Sequence, residues 1–237
     1  MKKDVIVACD FPSRSEVMEF LQLFGKRKPF VKIGMELFYS EGPEIVREIK
    51  KRGYKIFLDL KLHDIPNTVE RAMRSLSMLD IDMVNLHTAG TIKMMQAALR
   101  GLVRPDGTRP ILIGVTQLTS TDEKELKEQL LVNGAMDDVV IAYAKLGVAA
   151  GIDGVVCSPL EAGKVKKECG EKFLTVTPGI RFKDSKKDDQ ARITTPYEAS
   201  RMGCDYIVVG RPVTQATDPV GAYERCIREF VYGKESE

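Results

Sequence analysis

Eight short apolar runs punctuate the chain at residues 5–10, 30–34, 55–61, 83–87, 111–117, 154–157, 173–177 and 206–210. Each is too short for a buried helix, and most are rich in Val and Ile, so they read as strands. The intervening segments 16–24, 43–51, 69–79, 92–102, 137–150 and 160–169, and a last one over about 220–231, repeat apolar residues every three or four positions. That spacing lays an apolar stripe along one side of a helix. Strands that alternate strictly with helices pair in parallel through helical crossovers. Eight such repeats in 237 residues predict an α/β fold, a (β/α)8 TIM barrel forming a single domain over residues 1–237, rather than an open sheet.

Helix starts are marked. Ser13-x-x-Glu16, Ser158-Pro159-Leu160-Glu161 and Thr195-Pro196-Tyr197-Glu198 match the capping box, in which hydroxyl and carboxylate satisfy each other's backbone N–H groups. Asp218-Pro219 repeats the logic without the box. Two connections are long. Residues 119–135 are polar, with helix expected over 123–131, and residues 178–194 are crowded with charge. Long loops after barrel strands are natural lids over an active site. The sequence suggests no domain boundary and no repeat beyond the strand–helix alternation.

Composition narrows the function classes. Lys+Arg 36 against Asp+Glu 34 gives a net charge of +2, which is no nucleic-acid footprint, so anion affinity must come from a local cluster. No apolar run approaches the roughly 18–20 residues that span a membrane. Met1-Lys2-Lys3-Asp4 leads directly into a strand, which argues against a secretion signal. The five cysteines (9, 157, 169, 204 and 226) form no C-x-x-C pair, and only two histidines are present, neither beside a cysteine. The expectation is reduced, buried thiols in a cytoplasmic protein without zinc.

Chemistry gathers at the strand ends. Alternation along residues 55–61 sends Ile56, Leu58 and Leu60 to one face and Asp59 and Lys61 to the other. Asp64 follows, and Pro66-Asn67-Thr68 opens a helix. Asp-x-Lys-x-x-Asp therefore stands at the C-terminal end of a strand, where barrel enzymes keep their chemistry. In isolation the motif is most simply a structural ion pair, since opposite charges on an inner face must be paired. It is not isolated. Asp10 ends the first run, and Lys32 interrupts the second, where burial requires a partner such as Asp10 or Asp59. Five ionisable groups on three consecutive strands exceed what one structural pair needs.

The opposite rim reads as an anion site. Gly210-Arg211 closes the eighth strand, where barrels often bind phosphate. Gly210 allows close backbone approach, and Arg211 offers a bidentate fork. Thr177-Pro178-Gly179-Ile180-Arg181 adds a second arginine, and Gln190 an amide donor. His87, at the end of the fourth strand, reads as a brace for neighbouring loops rather than a base, and His63 lies between motif residues but on the alternate face.

Asp59-Leu60-Lys61-Leu62-His63-Asp64-Ile65-Pro66-Asn67-Thr68 resembles the signature of the orotidine 5′-monophosphate decarboxylase family. The resemblance extends through Ala8-Cys9-Asp10, Val31-Lys32-Ile33-Gly34, Val115-Thr116-Gln117-Leu118-Thr119-Ser120, Thr177-Pro178-Gly179-Ile180-Arg181, Asp189-Gln190 and Val209-Gly210-Arg211. It implies decarboxylation of orotidine 5′-monophosphate to uridine 5′-monophosphate without metal or organic cofactor. Lys61 would be the proton donor, Asp59 would sit beside the departing carboxylate, and Lys32 would bind Asp59 and the ribose. Asp10 would also contact the ribose, and Thr119 would help hold the base. Arg181, Gln190, Gly210 and Arg211 would bind the phosphate. Asp64 and Thr68 would enter a neighbouring subunit's site, so the resemblance implies a homodimer with shared active sites. Two alternatives remain. One is a magnesium-dependent keto-sugar phosphate decarboxylase or hexulose phosphate synthase of the same barrel group, in which an acid stands where this chain has Lys32. The other is a non-catalytic phosphate-ligand-binding barrel.

Overall fold

Eight parallel strands hydrogen-bond in sequence order and close into a barrel. They are β1 (Asp4–Ala8), β2 (Phe30–Gly34), β3 (Ile56–Leu62), β4 (Met83–His87), β5 (Ile111–Val115), β6 (Gly154–Val156), β7 (Leu174–Thr177) and β8 (Tyr206–Val209). The computed structural model describes residues 3–183 and 194–235. Around the barrel run α1 (Arg14–Gln22), α2 (Met35–Glu41), α3 (Pro43–Lys51), α4 (Pro66–Ser77), α5 (Thr91–Leu102), α6 (Glu123–Glu128), α7 (Met136–Ala150), α8 (Pro159–Cys169), α9 (Pro196–Arg201), α10 (Arg211–Thr214) and α11 (Pro219–Cys226). Residues Ile227–Val231 continue the last helix as a π-turn. The eight expected strands all form. The helix expected over 123–131 ends at Glu128, and α2, α9 and α10 are short additions that the apolar spacing did not announce. No helix among the described residues is long and apolar enough to cross a membrane.

Alternation along the strands makes two cores. Ile6, Ala8, Phe30, Phe57, Met83, Ile113, Val176 and Val208 pack together inside the barrel. Val5, Val7, Val31, Ile33, Ile56, Leu58, Leu60, Val84 and Leu86 face outward into the larger layer beneath the helices. One step above Phe30, Phe57 and Met83 on the inner face come Lys32, Asp59 and Asn85, so the apolar interior gives way to polar groups at the C-terminal rim. The five cysteines are free thiols, and all but Cys169 are buried.

The opposite, N-terminal end carries a repeat that the sequence reading missed. Asp82, Asp153 and Asp205 each immediately precede an even-numbered strand. Each lends its N–H to the carbonyl of one residue on the preceding strand: Asp82 to Ile56 at 3.0 Å, Asp153 to Leu112 at 2.9 Å, Asp205 to Thr175 at 3.2 Å. Each carboxylate then accepts the N–H of that same residue, at 2.8, 2.7 and 2.9 Å. A cation covers each one: Lys50 on Asp82 at 2.6 Å, Arg109 on Asp153 at 2.5 Å and Lys166 on Asp205 at 2.5 Å. Three of the four odd–even strand pairs are thus fastened at the floor. In the first pair Pro29 occupies the corresponding position.

Candidate active site

Asp10, two residues beyond β1, Lys32 on β2, and Asp59 and Lys61 on β3 form one chain of alternating charge. Lys32 Nζ lies 2.9 Å from Asp10 Oδ1 and 3.2 Å from Asp59 Oδ2. Lys61 Nζ lies 2.6 Å from Asp59 Oδ1. Lys32 and Asp59 are buried, whereas the Asp10 side chain is 57% exposed and marks the open edge of the array. Gly34 underlies the first pair: a Cβ there would fall 2.9 Å from Asp10 Oδ1 and 3.2 Å from Lys32 Nζ.

Burial works against both inner charges, and their partners outweigh it. For Asp59, burial pushes the carboxyl up, but Lys32 and Lys61, with hydrogen bonds from Lys61 and Asn85, hold it below the usual carboxylate range. For Lys32, burial pushes the ammonium down, but Asp59 and Asp10 carry it above the ordinary lysine value. Both groups therefore stay charged at neutral pH.

Strand alternation put Asp59 and Lys61 on one face, and the structure adds a distortion. β3 and β4 are in register at Leu58↔Val84 and again at Leu62↔Leu86, so three residues of β3 oppose the single residue Asn85. This bulge preserves the facing of Leu62 and leaves Lys61 at a φ of 51°. A non-glycine residue in that region costs on the order of 1–3 kcal/mol and persists only where its surroundings enforce it. Asn85 is the enforcing group. Its Oδ1 accepts the Lys61 N–H at 2.8 Å, and its Nδ2 donates to Asp59 Oδ1 at 2.7 Å. Sequence reasoning missed Asn85. The signal was a polar residue at an inward position of Met-Val-Asn-Leu-His, one step below His87.

A cavity of about 280 Å³ opens beside the array. Lys32, Asp59 and Lys61, with the Asn85 amide, form its polar wall, and Phe57, Val156, Val176 and Val208 form its apolar base. Gln117, Leu118, Thr119 and Ser120, from the long connection after β5, complete it with Pro178. Thr119 thus lines the cavity no differently from Gln117, Leu118 and Ser120. A slot with charge on one side, apolar surface below and polar groups on a loop suits a flat heterocycle that carries ionised substituents.

The remaining candidates divide. Gly210 and Arg211 follow β8 directly, and Arg181 follows β7. Arg181 is buried, donates to Ile180 O at 2.9 Å, and pairs its N–H with Thr194 O at 3.1 Å. Gln190 lies outside the described residues. Asp64, just before α4, and Thr68, in its first turn, are exposed, and Asp64 Oδ1 accepts the N–H of Ile65 at 2.6 Å. Ile65 beside them is 65% exposed, so this segment offers an apolar and acidic face outward. His63 and His87 stack at 5.7 Å between ring centroids. Burial, then His63 and Lys61, holds His87 below its usual value, which keeps it neutral at neutral pH.

The family model described as "Orotidine 5'-phosphate decarboxylase / HUMPS family" matches residues 3–226. A Geobacillus protein (strain WCH70) named orotidine 5'-phosphate decarboxylase is 53% identical over 233 residues, covering 97% of this chain and 98% of its own. A Bacillus cytotoxicus protein of the same name is 54% identical over 227 residues, covering 94% and 95%. Among solved structures, orotidine 5'-phosphate decarboxylase from Lactobacillus acidophilus superposes with a TM-score of 0.88 at 40% identity, over 96% of this chain and 99% of that one. An uncharacterized conserved protein from Geobacillus kaustophilus superposes with a TM-score of 0.86 at 46% identity, over 95% and 99%.

Proposed function

The chain belongs to the orotidine 5'-phosphate decarboxylase / HUMPS family, and from that premise we propose how its rim residues act. The protein decarboxylates orotidine 5′-phosphate to uridine 5′-phosphate, in pyrimidine biosynthesis. The observation that carries the mechanism is the Asp10–Lys32–Asp59–Lys61 charge array, buried at Lys32 and Asp59, whose last three members line the cavity.

Loss of CO₂ from C6 of the orotate ring breaks the C6–carboxylate bond and leaves its electron pair in an sp² orbital on C6. No ring carbonyl is placed to accept that pair directly. The protein must stabilise a localised carbanion by electrostatics. Lys61, already fixed on Asp59, presents its ammonium to C6 without reorganisation. It then transfers a proton to C6, forming the C–H bond of the product, and regains a proton from solvent. Asp59 faces the substrate carboxylate, a like charge that departs as neutral CO₂. Asp10 and Lys32 take the ribose hydroxyls, and Thr119 holds the base.

One preorganised donor contributes about 3–4 kcal/mol. Large enzymatic accelerations need on the order of 20 kcal/mol. Lys61 alone is therefore insufficient. The rest is assigned to contacts distant from C6, chiefly the phosphate at Arg181, Gln190, Gly210 and Arg211, whose binding energy is spent on holding the substrate at Lys61 and excluding water.

Two features bear on the alternatives. A magnesium-dependent sugar-phosphate enzyme needs carboxylates free to ligate the ion. Here the Lys32 ammonium already occupies the space between Asp10 and Asp59, which supports a reaction without a magnesium ion at those carboxylates. A mere binder has no need of a buried carboxylate facing the substrate's own. Asp64 and Thr68 are exposed just beyond the Lys61 strand, which supports a homodimer in which they complete the partner's site next to Lys61.

The test is the absorbance change on conversion of orotidine 5′-phosphate by the purified protein in EDTA, alongside Lys61→Ala. Turnover in EDTA that disappears in a folded Lys61→Ala variant is expected. Near-normal activity in that variant would remove Lys61 as the acid, and dependence on added magnesium would favour the sugar-phosphate chemistry.

A further inference from the structure

Asn85 has no counterpart in the charge array, yet both ends of its amide are engaged there. It is 1% exposed on β4, opposite the three-residue bulge of β3. The bulge removes Lys61 from the regular ladder, and Asn85 Oδ1 captures the Lys61 N–H at 2.8 Å. The other end, Nδ2, donates to Asp59 Oδ1 at 2.7 Å, the same oxygen that receives Lys61 Nζ at 2.6 Å. One side chain thus fixes the backbone of the cation and the carboxylate that aims it. A leucine here would pack like its inward neighbours but leave a buried N–H unpaired. An aspartate would keep the acceptor and lose the donor. Only a side chain with both fits.

We infer that Asn85 is a positioning residue for the decarboxylation. It sets the left-handed backbone of Lys61 and the rotamer of Asp59, so that the ammonium–carboxylate pair is aimed before substrate arrives. The inference rests on Lys61 as proton donor. The amide of Asn85 is spent on Asp59 and on the Lys61 N–H, the groups at the reacting centre, so its loss is expected in the chemical step rather than in affinity.

Asn85→Asp and Asn85→Ala, assayed beside Lys61→Ala, separate the possibilities. Asn85→Asp is isosteric, and it sets two carboxylates against each other, which raises the pKa of the pair. The expected result is a kcat lowered at least tenfold at pH 7, with KM and the Kd for uridine 5′-phosphate within threefold of wild type. Relative to wild type, activity should recover as pH falls toward 5, because the protonated introduced carboxyl again donates to Asp59. Asn85→Ala should show the same kcat loss with no recovery. If Asn85→Asp does not fold, the kcat-against-KM split of Asn85→Ala decides. Normal kcat per folded molecule, or a loss confined to KM, overturns the inference, as does failure of both variants to fold, which would mark Asn85 as structural only. An active Lys61→Ala overturns the proton-donor assignment, whereas an inactive Lys61→Ala beside fully active Asn85 variants overturns the role of Asn85 alone.

Discussion

Lys32 Nζ sits 3.2 Å from Asp59 Oδ2 across neighbouring strands, each group buried and each held charged by the other. Asp59 is depressed and Lys32 elevated, so the signs fix a pH window. The stabilisation from Asp59 is present above its unfolded value near 4 and is lost as pH falls through its lower folded value. That from Lys32 is present below roughly 10.4 and is lost as pH rises through its higher folded value. Lys32→Ala should therefore cost about 3 kcal/mol in urea unfolding between those limits, with the gap to wild type narrowing beyond them. A gap that grows steadily with acidity would contradict these signs.

Gly34→Ala isolates the Asp10–Lys32 contact. The glycine has a φ of −87°, so the backbone accepts alanine without strain. The new Cβ displaces the exposed Asp10 carboxylate, a flexible group whose movement costs the fold little. Misplacing an active-site group by an ångström can reduce rate by on the order of 10²-fold. The expected outcome is a tenfold to hundredfold drop in kcat/KM with a melting temperature close to wild type. A variant within twofold of wild type would show that Asp10 is not needed where it stands.

Asp64 is expected to act in the partner's site. Lys61→Ala and Asp64→Ala, each inactive alone, should complement after subunit exchange. A heterodimer concentrates both defects in one site and leaves the other intact. With about half the dimers mixed, activity should return to roughly a quarter of wild type. Verified exchange without recovery would place Asp64 at its own chain's site or at none.

Asp205→Ala tests the floor against the rim. It removes the acceptor for Thr175 N–H and the charge partner of Lys166, both buried. Lys166 keeps its bonds to Glu171 O and Phe173 O at 2.9 Å each, so the loss should be near 3 kcal/mol rather than larger. Denaturation should register that loss while kcat/KM per folded molecule stays within twofold. An activity defect without a stability defect would refute the division of labour.

The eight strands were legible because each pairs an inner with an outer apolar face, and burial on both sides writes a nearly continuous apolar run. The charge array was legible because lysine and aspartate are conspicuous in such runs. The conformation of Lys61 was not, since it arises from the register between β3 and β4, which no local pattern contains. Asn85 escaped because a single amide scarcely interrupts Met-Val-Asn-Leu-His. The helix α2, seven residues starting directly after β2, is too short to display an apolar period. The floor aspartates looked like ordinary loop polarity because each follows a turn.

Those aspartates bear on how such a chain can be assembled. Every floor lock ties two neighbouring strands, with its covering cation drawn from the helix or loop just before them, so three two-strand units each carry their own fastening. A cut near Gly107, between Asp82 and Arg109, severs none of them, and the two fragments should find each other and restore the barrel. The pair β1–β2 has no such fastening, because proline stands where the acid would be. The barrel is then three self-tied staves and a fourth that the closed ring itself must hold, and a shape of that kind can grow by duplicating staves before it ever has a ring to close.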